Sequence, residues 1–140
     1  MAFNSSKAGD RYNLGWNIVP KVAASAYTPK VGDVVKLTFA AAEEINIISG
    51  NDAAYGIVEV VGPDNATCSV AVFSIGMQIE YPTSATATLG QHVKFNTNTR
   101  PAATSVQRTV MTSDASNGNG TIVAVGADCP HGVGHAVVEY

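Results

Sequence analysis

At 140 residues the chain has room for one folded unit with a real core. Its formal net charge of −3 and charged fraction of 14% leave out the basic face that nucleic acid requires. An apolar fraction of 46% excludes a disordered chain, and no stretch approaches the ~20 apolar residues of a membrane span. The kind of apolar residue then points to the fold. There are eighteen Val and twelve Thr against three Leu, and β-branched side chains pack well on a pleated surface but lose rotamer freedom on a helix.

The first thirty residues differ from the rest. They mix Asn, Ser, Lys and Gly with isolated large side chains, Phe3, Tyr12, Leu14, Trp16, Ile18 and Tyr27, and alternate poorly. Residues 1–30 therefore read as an N-terminal arm, packed along its own domain or reaching another subunit. Its best interface candidates are Phe3, Tyr12, Leu14, Trp16 and Ile18, because aromatic and large apolar side chains concentrate at interfaces. The opening MAFNSSKAGDRYN has no apolar core and is not read as a signal peptide, so synthesis in a reducing cytoplasm is expected.

From Val31 the pattern becomes regular. Residues 31–39 (VGDVVKLTF) read as a Gly-Asp turn leading into a strand with Val35, Leu37 and Phe39 inward and Lys36 outward. A turn or loop follows at 40–44, then a short apolar run at 45–48. Residues 55–61 (YGIVEVV) read as a strand closed by the turn Gly62-Pro-Asp-Asn65, and 67–73 as a strand with Cys68, Val70 and Val72 on one face. The break Ser74-Ile-Gly76 precedes a strand at 77–81 and a loop at 82–88. Residues 89–95 (LGQHVKF) echo residues 31–37 (VGDVVKL) as [VL]-G-[DQ]-x-V-K-[LF], which strengthens both strand assignments; duplication and convergent hairpin entries both account for it. Residues 96–103 read as loop, 106–111 as strand, although Val106 and Val110 also suit a helix face, and 113–120 as a flexible polar loop. Residues 121–125 and 136–140 form a closing antiparallel pair around a Gly-rich loop. Short strands at regular spacing predict an all-β fold, a small β-barrel or β-sandwich over residues 31–140, preceded by the extended arm.

No chemistry rises above its plain structural reading. Asp128, Cys129, His131 and His135 are fitting metal ligands, but Gly-Val-Gly between the two His rules out a helix presenting both on one face. Cys68 and His92 are the remaining distant ligand candidates. The segment reads as a hairpin loop that carries His, and neither metal nor cofactor is expected. There is no nucleophile elbow and no phosphate loop, while Glu43-Glu44 are adjacent residues that point apart. Asp33, Asp52 and Asp64 sit beside turn residues, where Asp bonds the local backbone. Catalytic residues are not expected, and the chain is not read as an enzyme.

The order of these phrases resembles the small bacteriophage head decoration proteins, also called cement or capsid-stabilising proteins. The likeness rests on the Gly-Asp-led strand at 31–37, Ala54-Tyr-Gly-Ile-Val58, the Gly-led strand at 89–95, Gly120-Thr-Ile-Val-Ala-Val-Gly126 and the last strand at 136–140. The resemblance implies a structural virion protein on the capsid exterior that forms a homo-oligomer, a trimer, and binds the major capsid protein to hold capsomers together. It implies no nucleic-acid or membrane partner. Two rivals remain open: a tail-tube or tail-associated module, and a small-ligand or carbohydrate-binding β-domain using Trp16, Tyr12, Tyr27 and Tyr81.

Overall fold

A computed structural model of the chain describes residues 17–83, 85–95, 110–116, 119–126 and 134–140. These form ten strands and no helix: β1 (Asn17–Ala23), β2 (Val34–Leu37), β3 (Glu44–Ile47), β4 (Gly56–Val61), β5 (Thr67–Val72), β6 (Gln78–Pro82), β7 (His92–Phe95), β8 (Met111–Asp114), β9 (Thr121–Gly126) and β10 (His135–Glu139). The all-β expectation holds, as one closed five-stranded barrel with a three-stranded and a two-stranded sheet beside it. Strands β1-β3-β2-β4-β5 close on themselves, with β1 antiparallel to β5 and parallel to β3. Closure removes the unpaired edges that an open sheet would present.

Part of the segment read as an arm packs within the barrel. Residues 17–23 are a barrel strand, and Tyr27 is buried in the same core as Val35, Ile45, Val58, Cys68 and Val70. The strand escaped the alternation test because the side chain it buries most deeply is Lys21, flanked by exposed Pro20 and Val22. Lys21 is tolerated inside because its ammonium reaches Glu43 and lies 5.1 Å from the centre of the Tyr55 ring. Phe39 also departs from expectation. The chain leaves β2 after Leu37, and Phe39 turns at φ 59° with 86% of its surface exposed. Ser113 and Asp114, expected in a loop, belong to β8.

Strands β6 to β10 repeat the first half. β6 pairs antiparallel with β10 as β1 does with β5, and β10 pairs with β9 as β5 does with β4. β7 pairs with β8 as β2 does with β3, with Val93↔Ser113, Lys94↔Thr112 and Phe95↔Met111 standing where Val35↔Ile47, Lys36↔Asn46 and Leu37↔Ile45 stand. A parallel bridge Thr83↔Met111 links β6 to β8, matching Ala23↔Ile45 of β1 and β3, and Val93↔Asn119 links β7 to β9. Even the irregularity recurs. The β4–β5 ladder shifts between Val58 and Val60, and the β10–β9 ladder shifts between Val137 and Val138, each leaving one extra residue (Glu59, Val123) on the strand that follows the Gly.

The sequence echo therefore marks equivalent places in two repeats. Gly32 and Gly90 both turn with positive φ, 92° and 81°, and their amides donate to Val58 O and Ile122 O, both at 2.9 Å. Val58 N and Ile122 N donate back to Asp33 O and Gln91 O. Inward positions correspond too: Val35, Ile45, Val58, Cys68 and Val70 of the first repeat match Val93, Met111, Ile122, Ala136 and Val138 of the second, all buried. Gly56 and Gly120 share one steric cause, since a Cβ would fall 2.7 Å from Val70 Cγ1 in the first and 2.6 Å from Val138 Cγ1 in the second.

The repeats are joined through one core. Val34, Ile48 and Ile57 on the outer face of the first repeat are buried in the cluster that holds the second repeat's interior. Gly50 exchanges two backbone hydrogen bonds of 3.0 Å with Phe95. Asn119 accepts from Ala54 N and donates to Asp52 O, both at 2.8 Å, so the loop before β4 is held against β7 and β9.

Candidate interaction surface

Of the side chains expected to make contacts, Ile18 lies in β1 with 54% of its surface exposed; Phe3, Tyr12, Leu14 and Trp16 lie outside the described residues. Ile18 is not alone. β1 alternates so that Ile18, Pro20 and Val22 face outward, and the adjoining β5 contributes Thr67 and Ser69. Pro20 stands opposite Ser69, and Ser69 opposite Val60, so a row across three strands carries exposed apolar Pro20 and Val60 on either side of Ser69. Proline is tolerated here because β1 meets β3 only at Val22 and Ala23, leaving Pro20 with a ladder on one side.

The second repeat treats its equivalent face differently. Glu80 and Val137 match Pro20 and Ser69, and both are fully buried; Pro82 and His135 match Val22 and Thr67 and are buried as well. His135 Nε2 lies 3.6 Å from Glu80 Oε1, and its ring fills the space a Cβ on Gly126 would need. One copy of this face is thus covered within the chain, and the other is open.

The expected chemistry separates in space. Cys129 and His131 lie outside the described residues, and among those described no three His, Cys, Asp or Glu gather as a metal site. Cys68 is in the first repeat's core, 3.8 Å from Lys21 O, and burial pushes its thiol pKa up, helped by the negative charges of Asp64 and Asp33. His92 is on the second repeat, where Nδ1 meets Gly120 O at 2.6 Å. The aspartates serve turns as expected. Asp33 accepts from Tyr27 OH at 2.6 Å and Lys30 N at 3.0 Å, and Asp52 accepts from Lys36 at 2.7 Å and Ser49 N at 3.3 Å. Asp64 accepts from Thr67 Oγ1, Ala66 N and Thr67 N, and these hydrogen bonds lower its pKa, that from the Thr67 side chain most. Glu43 and Glu44 do point apart, to Lys21 and to Thr38 Oγ1. Tyr27 and Tyr81 are buried, with Tyr81 OH bonded to Tyr140 OH at 2.6 Å, so neither belongs to an open aromatic face.

Among the described residues the chain is a closed five-stranded barrel followed by five strands that repeat its pairings, with an open, largely apolar face on the first repeat. Comparison with protein-family models, with curated proteins and with solved structures gives no match.

Proposed function

We propose that this chain is a structural virion protein that binds the outer surface of a phage capsid and stabilises contacts between capsomers. The observation that carries the reading is the open set Ile18, Pro20, Val22 and Val60, whose counterparts in the second repeat are buried at Glu80 and Pro82 and half-buried at Gln78 and Ala124. A largely apolar face on a rigid closed barrel suits a permanent contact with another protein surface: rigidity keeps the ordering cost low, and the side chains add area without charge to desolvate. The major capsid protein is the partner in this reading, with the chain itself as a discrete homo-oligomer, a trimer, on the shell. The resemblance in strand order and the small charged fraction support the same assignment.

The test is co-sedimentation on a sucrose gradient with shells assembled from the major capsid protein of the virus that carries the gene. The wild-type chain should travel with the shells at a fixed stoichiometry, and Val22→Asp should stay at the top while keeping its circular dichroism spectrum. A wild-type chain that never leaves the top at saturating shell concentration refutes the reading. Formation of long tubes by the chain alone would favour a tail-tube module instead.

A further inference from the structure

Asn119 is followed by glycine, and the two residues answer to different demands. Gly120 turns at φ 61°, and a Cβ there would fall 2.6 Å from Val138 Cγ1 and 2.8 Å from Glu139 O. Gly56 meets the same restriction at the equivalent place in the first repeat, where the preceding residue is Tyr55. Tyr55 N donates to Val35 O as Asn119 N donates to Val93 O, so the backbone role needs no asparagine. The asparagine serves the joint between the repeats instead. Its Oδ1 accepts from Ala54 N and its Nδ2 donates to Asp52 O, both at 2.8 Å. Both bonds require a donor and an acceptor on one side chain, and a carboxylate offers acceptors alone. Packing at Gly120 and bonding at Asn119 thus place a chemically labile Asn-Gly pair at the joint.

We propose that Asn119 is a deamidation site whose reaction is gated by the joint between the repeats. The Gly120 nitrogen attacks Asn119 Cγ, unobstructed because glycine has no side chain. A C–N bond forms and closes a succinimide, the bond from Cγ to Nδ2 breaks, and ammonia leaves with the proton lost by the Gly120 amide. Water then opens the ring at either carbonyl, giving aspartate or isoaspartate. In the closed joint this path is blocked. Both ends of the Asn119 amide are tied to the loop before β4, and turning Cγ onto Gly120 N breaks both bonds. The backbone is held as well, by the exchange with Val93 at 3.0 and 3.1 Å and by His92 Nδ1, 2.6 Å from Gly120 O. Reaction therefore waits for local opening of the joint. Aspartate then puts an oxygen where Nδ2 met Asp52 O, and isoaspartate adds a methylene to the backbone within the bridge to Val93. Either product weakens the joint, so an opening that reacts is not reversed.

Peptide mapping by mass spectrometry, after timed incubation of the full chain at mildly alkaline pH, tests this. Trypsin releases residues 109–140 as one peptide, since no Lys or Arg follows Arg108, and fragmentation separates Asn119 from Asn117. Conversion at Asn119 should be at least about tenfold slower in the folded chain than in urea. Ile57→Val, a small cut in the core that joins the repeats, should speed the folded-state rate by about 2- to 10-fold. Val60→Ala, on the exposed face of the same strand, should leave that rate unchanged. Asn119→Asp carries the product from the start and should lower the urea midpoint. A folded chain that converts Asn119 at the unfolded rate overturns the gating, as does equal acceleration by Ile57→Val and Val60→Ala, or none by either. An Asn119 that stays unconverted even in urea overturns the site itself. An Asn119→Asp chain as stable as wild type overturns the consequence for the joint.

Discussion

Truncating Ile57 to alanine tests whether the two repeats form one cooperative unit. Ile57 is 1% exposed and packs in the cluster that also contains Met77, Tyr81, Phe95 and Ile122. Replacing a buried Ile by Ala costs about 2–5 kcal/mol, the upper half of the range applying where surrounding atoms cannot collapse into the space. At position 57 the walls come from both repeats, so about 4 kcal/mol is expected, a large share of the roughly 5–15 kcal/mol that holds a domain folded. With a urea m-value of about 1–3 kcal/mol/M, the midpoint should fall by about 2 M. Urea titrations followed by circular dichroism and tyrosine fluorescence should give one coincident transition for wild type and variant. Val60→Ala, on the same strand but 58% exposed, should change stability by less than about 0.5 kcal/mol. A loss below about 1 kcal/mol at Ile57, or two separated transitions in wild type, would refute the shared core.

Three further outcomes are expected. Gly56→Ala places a Cβ 2.3 Å from Ala71 O, and Gly120→Ala places one 2.8 Å from Glu139 O at φ +61°; each should cost about 1–3 kcal/mol by thermal or urea unfolding. The Asp64 carboxyl, read by NMR titration, should have its midpoint below 3.8, and the midpoint should rise in Thr67→Val while staying lowered by the Ala66 and Thr67 amides. Because that pKa is depressed, its contribution to stability is present above the unfolded value and fades as pH falls through the folded one. Lys21 has a raised pKa, chiefly through its hydrogen bond to Glu43 and against the effect of burial. Its contribution is full below the unfolded value of 10.5 and fades as pH rises through the folded one, so Glu43→Gln should shrink the contribution and with it the alkaline loss of stability.

Sequence reading reached much of this architecture, and its failures have physical causes. Strands β2, β4, β5, β7 and the closing pair β9–β10 were legible because Gly-led turns precede them or apolar side chains alternate along them. β1 was not, since its inward side chain is a lysine neutralised by a carboxylate distant in sequence. Phe39 continued the alternation of β2 by one step, but the left-handed turn there ended the strand first. The echo of residues 31–37 at 89–95 was the one visible trace of the repeat. It survives where backbone geometry needs Gly at positive φ, and it fades where the two faces diverged from Pro20 and Ser69 to Glu80 and Val137. Ile18 was named from its sequence, whereas Pro20, Val22 and Val60 needed the cross-strand register to fall into line with it.

The extra residue in β4 works as a phase shift. A regular strand serves two environments, one for each parity of position. Glu59 resets the count, and this six-residue strand consequently serves three: Ile57 seals the joint, Val58 and Val61 fill the barrel, and Val60 faces outward. Were Glu59 paired as an ordinary ladder residue, a single alternation would send Val60 inward and Val61 outward, trading a surface residue for a core one. The bulge therefore decides which neighbour meets the core, and the second repeat carries the same extra residue at Val123.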